Sequence, residues 1–263
     1  MNPLSLASGV MPDHGPVETV EAARAGGFDA VGLWVDPAQW TPATTRDTRA
    51  ALANAGLPLL DVEVIWLKPG DDIALHRKVI DVGAELGAAN VLCVSSHPDS
   101  VTTIAALDLL CRHAEDSGMR VALEFGIFTR VRDLPSALAI LDRVGHPLSA
   151  LLVDPIHVDR SDSSIAAIAA VDPALMPYAQ FCDAPGQRPD PEDFDAVITD
   201  AIDLRRQCGE GALALESLYR ALPPGIPLSI ELRSRRLRDD FPDSCQRARA
   251  VANTTRRWLA GIA

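Results

Sequence analysis

The sequence predicts a (β/α)8 TIM barrel on three observations: eight short apolar runs, a helix-like stretch between successive runs, and no phosphate-binding glycine turn after the first. A doubly wound sheet is the competing α/β fold. It would place GxGxxG after the first strand, where the chain instead reads Leu6-Ala7-Ser8-Gly9-Val10. The chain has 263 residues, 48% of them hydrophobic, enough for one sizeable core. α/β barrels of this length run as one unit, so residues 1–263 read as a single domain.

The first run is Leu4 to Val10, followed by an Ala-rich helix over Val17–Ala25 that Gly26-Gly27 stops. The second is Asp29 to Val35, with a helix from Thr44 to Ala55 ending at Gly56. The third is Pro58 to Leu67. Asp71-Asp72 then sit where a helix N-terminus favours acids, and the helical pattern runs to Leu86 before Gly87. The fourth, Asn90 to Ser95, precedes a helix over 100–116 that stops near Gly118. The fifth, Arg120 to Phe125, precedes one over Leu134–Val144 that ends at Gly145. The sixth is Leu148 to Asp154, and its loop carries His157 and Arg160. A helix-like segment over Ser163–Ala170 leads to the seventh, Met176 to Phe181. Helical patterns at Glu192–Gln207 and Leu213–Leu222 flank a Gly209-Glu210-Gly211 turn. The eighth run is Pro227 to Leu232, and a helix from Ser244 to Leu259 closes the chain. The runs alternate only weakly, as expected of strands covered on both faces.

A formal net charge of -12 argues against a nucleic-acid partner, which needs Lys and Arg against phosphates, and against polybasic membrane attachment. Five widely spaced cysteines, with no CxxC or zinc-ribbon pair, read as buried free thiols in a reducing compartment. The N-terminus shows no signal-peptide pattern, and no apolar segment approaches the roughly 18 residues of a membrane span. The expected location is the cytoplasm.

In such barrels chemistry sits where the strands end. The fifth run carries Glu124, the sixth stops on Asp154, the seventh holds Gln180, and the eighth holds Glu231. Buried carboxylates are costly unless paired, hydrogen-bonded or metal-bound. Three that converge without a lysine repel one another, and a divalent cation relieves this. Three carboxylates and an amide form an all-oxygen set that suits Mn2+ or Mg2+, with Zn2+ or Co2+ as alternatives.

The stretches Leu123-Glu124-Phe125, Val153-Asp154-Pro155-Ile156-His157-Val158-Asp159-Arg160-Ser161, Gln180-Phe181-Cys182-Asp183-Ala184 and Ser229-Ile230-Glu231 resemble the xylose isomerase-like TIM-barrel superfamily. The resemblance is to its sugar phosphate isomerase/epimerase group, and it extends over essentially the whole chain. It implies one divalent metal on Glu124, Asp154, Gln180 and Glu231, with His157 against the substrate. Position 180 is Gln where epimerases of the group carry His, and an amide binds metal more weakly. The extra His and Glu ligands of the trinuclear DNA-repair members have no match, which weighs against a nuclease.

The expected activity is isomerisation or epimerisation of a sugar or polyol by proton transfer next to a carbonyl, through an enediolate. Glu124 and Glu231, three strands apart, would remove and return the proton. Arg160 would position the substrate, and Glu63, inside the third run, is a further contact. Trp34 and Trp66 read first as rim packing, with Trp34 kept as a candidate substrate wall. The arginines at 233, 235, 236 and 238 could grip an anionic substrate, but read first as a solvated loop. The same first step serves a dehydratase on a keto-sugar, keto-inositol or dehydroshikimate-like substrate. A sugar-binding or partner-dependent non-catalytic subunit is the reading from another class. The resemblance also implies a homo-oligomer, dimer or tetramer.

Overall fold

Ten of the eleven α-helices among the described residues begin on a side chain that accepts a free amide, the last of them on Asp243, which takes the Gln246 amide. Side-chain oxygens of Thr41, Asp72, Asp99, Asp133, Asp154, Ser164, Asp193 and Ser234 each accept an amide of the first turn, and Glu18 reaches back to the Gly15 amide ahead of Pro16. Four helices end on a glycine in the left-handed region: Gly27 (φ 67°), Gly56 (66°), Gly87 (79°) and Gly145 (58°). These stops hand the chain back to the next strand after a few residues.

The computed structural model describes residues 2–262. The strands are β1 (Leu4–Leu6), β2 (Ala30–Trp34), β3 (Leu59–Leu67), β4 (Asn90–Ser95), β5 (Arg120–Glu124), β6 (Ser149–Leu152), β7 (Ala179–Phe181) and β8 (Leu228–Ile230). The helices are α1 (Pro16–Gly26), α2 (Pro42–Ala55), α3 (Ile73–Leu86), α4 (Ser100–His113), α5 (Leu134–Val144), α6 (Pro155–Arg160), α7 (Ile165–Ala169), α8 (Phe194–Asp203), α9 (Leu215–Ala221), α10 (Arg235–Asp240) and α11 (Ser244–Ile262).

All strand pairs are parallel, in the order β6-β5-β4-β3-β2-β1-β8-β7. One bridge, Val153 to Ala179, spans the two ends of this sheet, where the Gln180 amide donates to the Val153 carbonyl at 3.0 Å. The result is a nearly closed (β/α)8 barrel, and a doubly wound order is excluded. Asp154 follows one bridging residue and Gln180 the other, so the seam itself sets these two side chains side by side. The larger apolar core lies between sheet and helices. A second, with Leu60, Leu92, Ala122, Ala150 and Leu152, fills the barrel interior.

Several expected segments differ. Residues 155–160 are not a loop: Asp154 caps α6, and Pro155 at the first position is pre-set for a helix. The helix expected over Glu192–Gln207 stops at Asp203, because Leu204 and Arg206 bridge to Ser234 and Asp183. Of the arginines after β8, Arg233 lies in the connecting segment, whereas Arg235, Arg236 and Arg238 are helical, since Ser234 caps α10 and Asp203 pairs with both Arg235 and Arg238. Cys93, Cys111, Cys182 and Cys208 are buried, and all five cysteines are free. No helix among the described residues is long and apolar enough to cross a membrane.

Candidate metal centre and active site

Inward-facing positions at the C-terminal strand ends put Glu63, Glu124, Gln180 and Glu231 around one chamber of about 130 Å³. Each is buried, as is Asp154 beside them. Glu124 ends β5. Asp154 sits at the junction of β6 and α6 and uses both oxygens: Oδ1 accepts the Ile156 amide at 3.0 Å, and Oδ2 accepts Arg205 Nη1 at 2.5 Å. The Gln180 amide sits between the two carboxylates, where its NH2 donates to Glu124 Oε1 at 3.0 Å and to Asp154 Oδ2 at 3.2 Å. An amide in this position serves two states. It offers hydrogens to the carboxylates when nothing lies between them and an oxygen when a cation does.

Glu231 Oε1 accepts Arg233 Nε at 2.6 Å, while its buried Oε2 has no partner. Gly9 makes room for this carboxylate: a Cβ there would lie 2.0 Å from Glu231 Oε1. Glu63 Oε1 accepts Ser8 Oγ at 2.7 Å, and its Oε2 lies 3.7 Å from Arg233 Nη2. His157 is brought in by the first turn of α6, with Nε2 3.9 Å from Glu124 Oε1 and its ring 4.8 Å from that of Phe128. Ligand atoms of Glu124, Asp154 and His157 lie within 4.8 Å of one another, so the tightest cluster contains His157, and Glu231 stands apart on Arg233.

Burial governs the protonation of these groups, and neighbours then divide them. Burial, with the charge of Asp154 beside it, lifts Glu124 well above the usual carboxylate range. Burial and Glu231 push Glu63 up to about 7, although Arg233 opposes this. Burial acts on Asp154 in the same sense, but Arg205 overrides it and holds the carboxyl ionised. Burial brings His157 down to about 4, so its imidazole is neutral at pH 7. One layer deeper, Asp61 lies two residues before Glu63, Tyr178 two before Gln180 and Ser229 two before Glu231. All three are fully buried, with side-chain oxygens that have no hydrogen-bond partner. Burial and the charges of Glu63 and Glu231 raise Asp61 well above the ordinary value.

Arg160 is the expected substrate contact that the geometry redirects. Its guanidinium is buried outside the chamber, where it donates to both oxygens of Asp200, to Asp159 and to the Pro185 carbonyl. Those bonds take four of its five N–H donors, and Arg160 does not line the chamber. The positive charge in the chamber comes from two arginines that the sequence reading did not place there. Arg205 donates to Asp154, to the Glu231 carbonyl and to the Ala201 carbonyl. Arg233 leaves the run of arginines behind it and turns inward onto Glu231 and Glu63. Trp34 stands at the rim, half exposed, with the Arg233 guanidinium 5.8 Å from its ring centroid.

The donor set fits a divalent cation. Ligand atoms of Glu124, Asp154 and His157 converge within 4.8 Å, the Gln180 amide lies against both carboxylates, and Glu231 Oε2 is a buried acceptor with no donor. Two guanidiniums offset only two of the five carboxyls Asp61, Glu63, Glu124, Asp154 and Glu231, so without a cation the others are driven toward their neutral forms.

A family model described as xylose isomerase-like TIM barrel matches residues 20–261. No curated protein matches the chain in sequence. Solved structures share the fold at low identity. The IolI protein with a bound zinc atom is 16% identical at a TM-score of 0.77, covering 99% of this chain and 97% of that one. D-allulose 3-epimerase from Methylomonas sp. is 16% identical at 0.72, covering 100% and 98%. The probable 3-DHS dehydratase AsbF from Bacillus anthracis is 15% identical at 0.75, covering 96% and 98%. A xylose isomerase-like TIM barrel/4-hydroxyphenylpyruvate dioxygenase fusion protein is 20% identical at 0.80 over 99% of this chain, which spans 44% of that protein's length.

Proposed function

Because the chain belongs to the xylose isomerase-like TIM-barrel family, we propose that it is a divalent-metal-dependent enzyme that moves a proton next to the carbonyl of a sugar or polyol, as an isomerase or epimerase. The observation that carries this reading is the convergence of Glu124, Asp154 and His157 ligand atoms within 4.8 Å of one another, with the Gln180 amide against both carboxylates and the unpartnered Glu231 Oε2 in the same chamber. Glu124, Asp154, Gln180 and Glu231 would hold the cation, with His157 close enough to share the task. Mn2+ or Mg2+ suits the oxygen donors, and an imidazole contribution would admit Zn2+ or Co2+. A bound divalent cation supplies Lewis acidity at a carbonyl oxygen and lowers the pKa of the adjacent C–H.

The chain's own groups then divide the work. Glu124 and Glu231 reach the chamber from strands three apart, so one can take the proton from one face of the carbon and the other return it to the opposite face. Neutral His157 offers a hydrogen bond to a substrate oxygen without adding charge. Arg205 and Arg233 favour negative charge as it develops on the substrate oxygens. Leu92, Val94 and Phe128 wall the other side and keep bulk water from the carbanion.

The probable 3-DHS dehydratase among the neighbours favours a second fate for the same carbanion, loss of a β-hydroxyl. A keto-sugar, keto-inositol and dehydroshikimate screen in D2O with added Mn2+ separates the two. Deuterium in recovered or epimerised substrate supports the isomerase, and an ultraviolet-absorbing unsaturated product the dehydratase. Glu231→Gln should fold, bind the metal more weakly and lose turnover. Full turnover in that variant would remove Glu231 from the mechanism.

A further inference from the structure

A second and larger space opens beside the chamber. It is a cleft of about 460 Å³, formed by the connection after β1, the connection after β2 and the residues that follow β8. Trp34 and Arg233 line both spaces, so the two meet at the rim of the barrel. The Ser8–Val10 turn is the partition: Ser8 and Gly9 line the cleft, Ser8 holds Glu63, and Gly9 backs onto Glu231.

We infer that the substrate is a two-part molecule, with its ketose in the inner chamber and an uncharged glycosyl unit in the outer cleft. This rests on the proton-transfer reading and extends it to a substrate class. The walls carry the argument. Trp34 is 47% exposed, a platform for the C–H face of a pyranose. On the same side Gln39 Nε2 donates to Asp36 Oδ2 at 2.6 Å, and Asp36 Oδ1 accepts the Ala38 amide. This fixes an amide and a carboxylate whose remaining donor and lone pairs can read vicinal hydroxyls. Arg233 is the one Lys or Arg lining the cleft among the described residues, and it faces Glu231 and Glu63. An anionic tail would meet Asp36 with no free cation to hold it, which favours a neutral polyhydroxyl.

Keto-disaccharides test this directly. Deuterium incorporation next to the ketone, with added Mn2+, is compared for fructose, lactulose, maltulose and isomaltulose. We expect at least one disaccharide to exceed fructose tenfold in kcat/KM, and Gln39→Leu to cut that ratio below threefold. Where fructose exchanges, a rate equal to or better than that of every disaccharide overturns the inference, as does a ratio untouched by Gln39→Leu. Saturation-transfer NMR with the non-reacting alditols lactitol and maltitol, against sorbitol, provides a readout independent of turnover. Saturation of the glycosyl protons, lost in Gln39→Leu, upholds the cleft even if no sugar exchanges deuterium, a result that would refute the proton-transfer reading alone. Exchange on fructose without binding of either disaccharide alditol refutes the cleft and leaves the proton-transfer reading standing.

Discussion

Gly9→Ala is a one-carbon test of how closely the Glu231 carboxylate is held. Gly9 lies in the turn after β1, outside the left-handed region, so alanine can adopt its backbone. The added Cβ would fall 2.0 Å from Glu231 Oε1, 2.6 Å from its Cδ and 2.7 Å from Arg233 Nε. Ordinary heavy-atom contact begins near ~3.5 Å, so the carboxylate must retreat by about 1.5 Å. That movement strains or breaks the 2.6 Å bond to Arg233 and changes where Oε2 points. Overpacking of this kind costs about 1–3 kcal/mol, and in a chain this size each kcal/mol moves the melting point by roughly 2–4 °C. The catalytic effect should be larger than the effect on stability. Displacing a reacting group by about 1 Å lowers rates on the order of a hundredfold. Deuterium exchange, Mn2+ calorimetry and thermal unfolding are measured together. The expected outcome is a folded protein that melts a few degrees lower, binds Mn2+ more weakly and exchanges about a hundredfold more slowly. Gly261→Ala, whose Cβ meets nothing within 4 Å, is the control. A Gly9→Ala rate within threefold of the parent would refute the placement of Glu231 at the reacting centre.

Three further predictions follow from the charges in the barrel. Asp61, Glu63 and Glu124 have folded-state pKa values raised above ordinary carboxyls, so each contributes stability at low pH that is lost as pH rises through the folded value, about 7 for Glu63. His157, brought down to about 4, acts in the opposite sense and loses stability as pH falls from about 6.5 toward 4. Three carboxyls outweigh one imidazole, so metal-free protein should melt at a higher temperature at pH 5.5 than at pH 8, and added Mn2+ should raise the pH 8 value most. A metal-free melting point that climbs steadily to pH 8 contradicts this. Asp61→Asn removes the deepest of these carboxyls without changing its shape; it should raise stability at pH 8 and shrink the difference between the two pH values in the same melts. Arg160→Met strands buried Asp200 and should cost about 3–5 kcal/mol in urea unfolding. Its Mn2+ affinity by calorimetry should equal the parent's, because the guanidinium never reaches the chamber.

Local signals made the barrel legible. Apolar runs are short-range, and a glycine past a helix end reads the same wherever it occurs; Gly27, Gly56, Gly87 and Gly145 all stop helices where expected. The strand-end acids were legible because an acid inside an apolar run conflicts with burial unless something pairs it. Arg205 was not, because apolar periodicity carries a helix pattern through it, whereas the chain leaves the helix at Asp203 to bridge Ser234. Arg160 misled because its partner, Asp200, is forty residues away and unremarkable in sequence. Arg233 shares its surroundings in sequence with Arg235, Arg236 and Arg238, and only the inward direction of the chain after β8 separates it from them. Ser8 and Gly9 carried no signal, since a glycine's neighbour across a barrel is a property of closure.

The single bridge between Val153 and Ala179 bears on how the protein breathes. Every other neighbouring pair of strands is laced by at least two registered positions, so this seam is where the barrel should open first. Asp154 and Gln180 flank it from opposite sides. A cation shared between them would act as a clasp, replacing missing lattice with ionic bonds. The exchange of one amide hydrogen, that of Gln180 on the Val153 carbonyl, then becomes a clock for the clasp, slow when it is fastened and fast when it is not, whatever molecule the enzyme turns over.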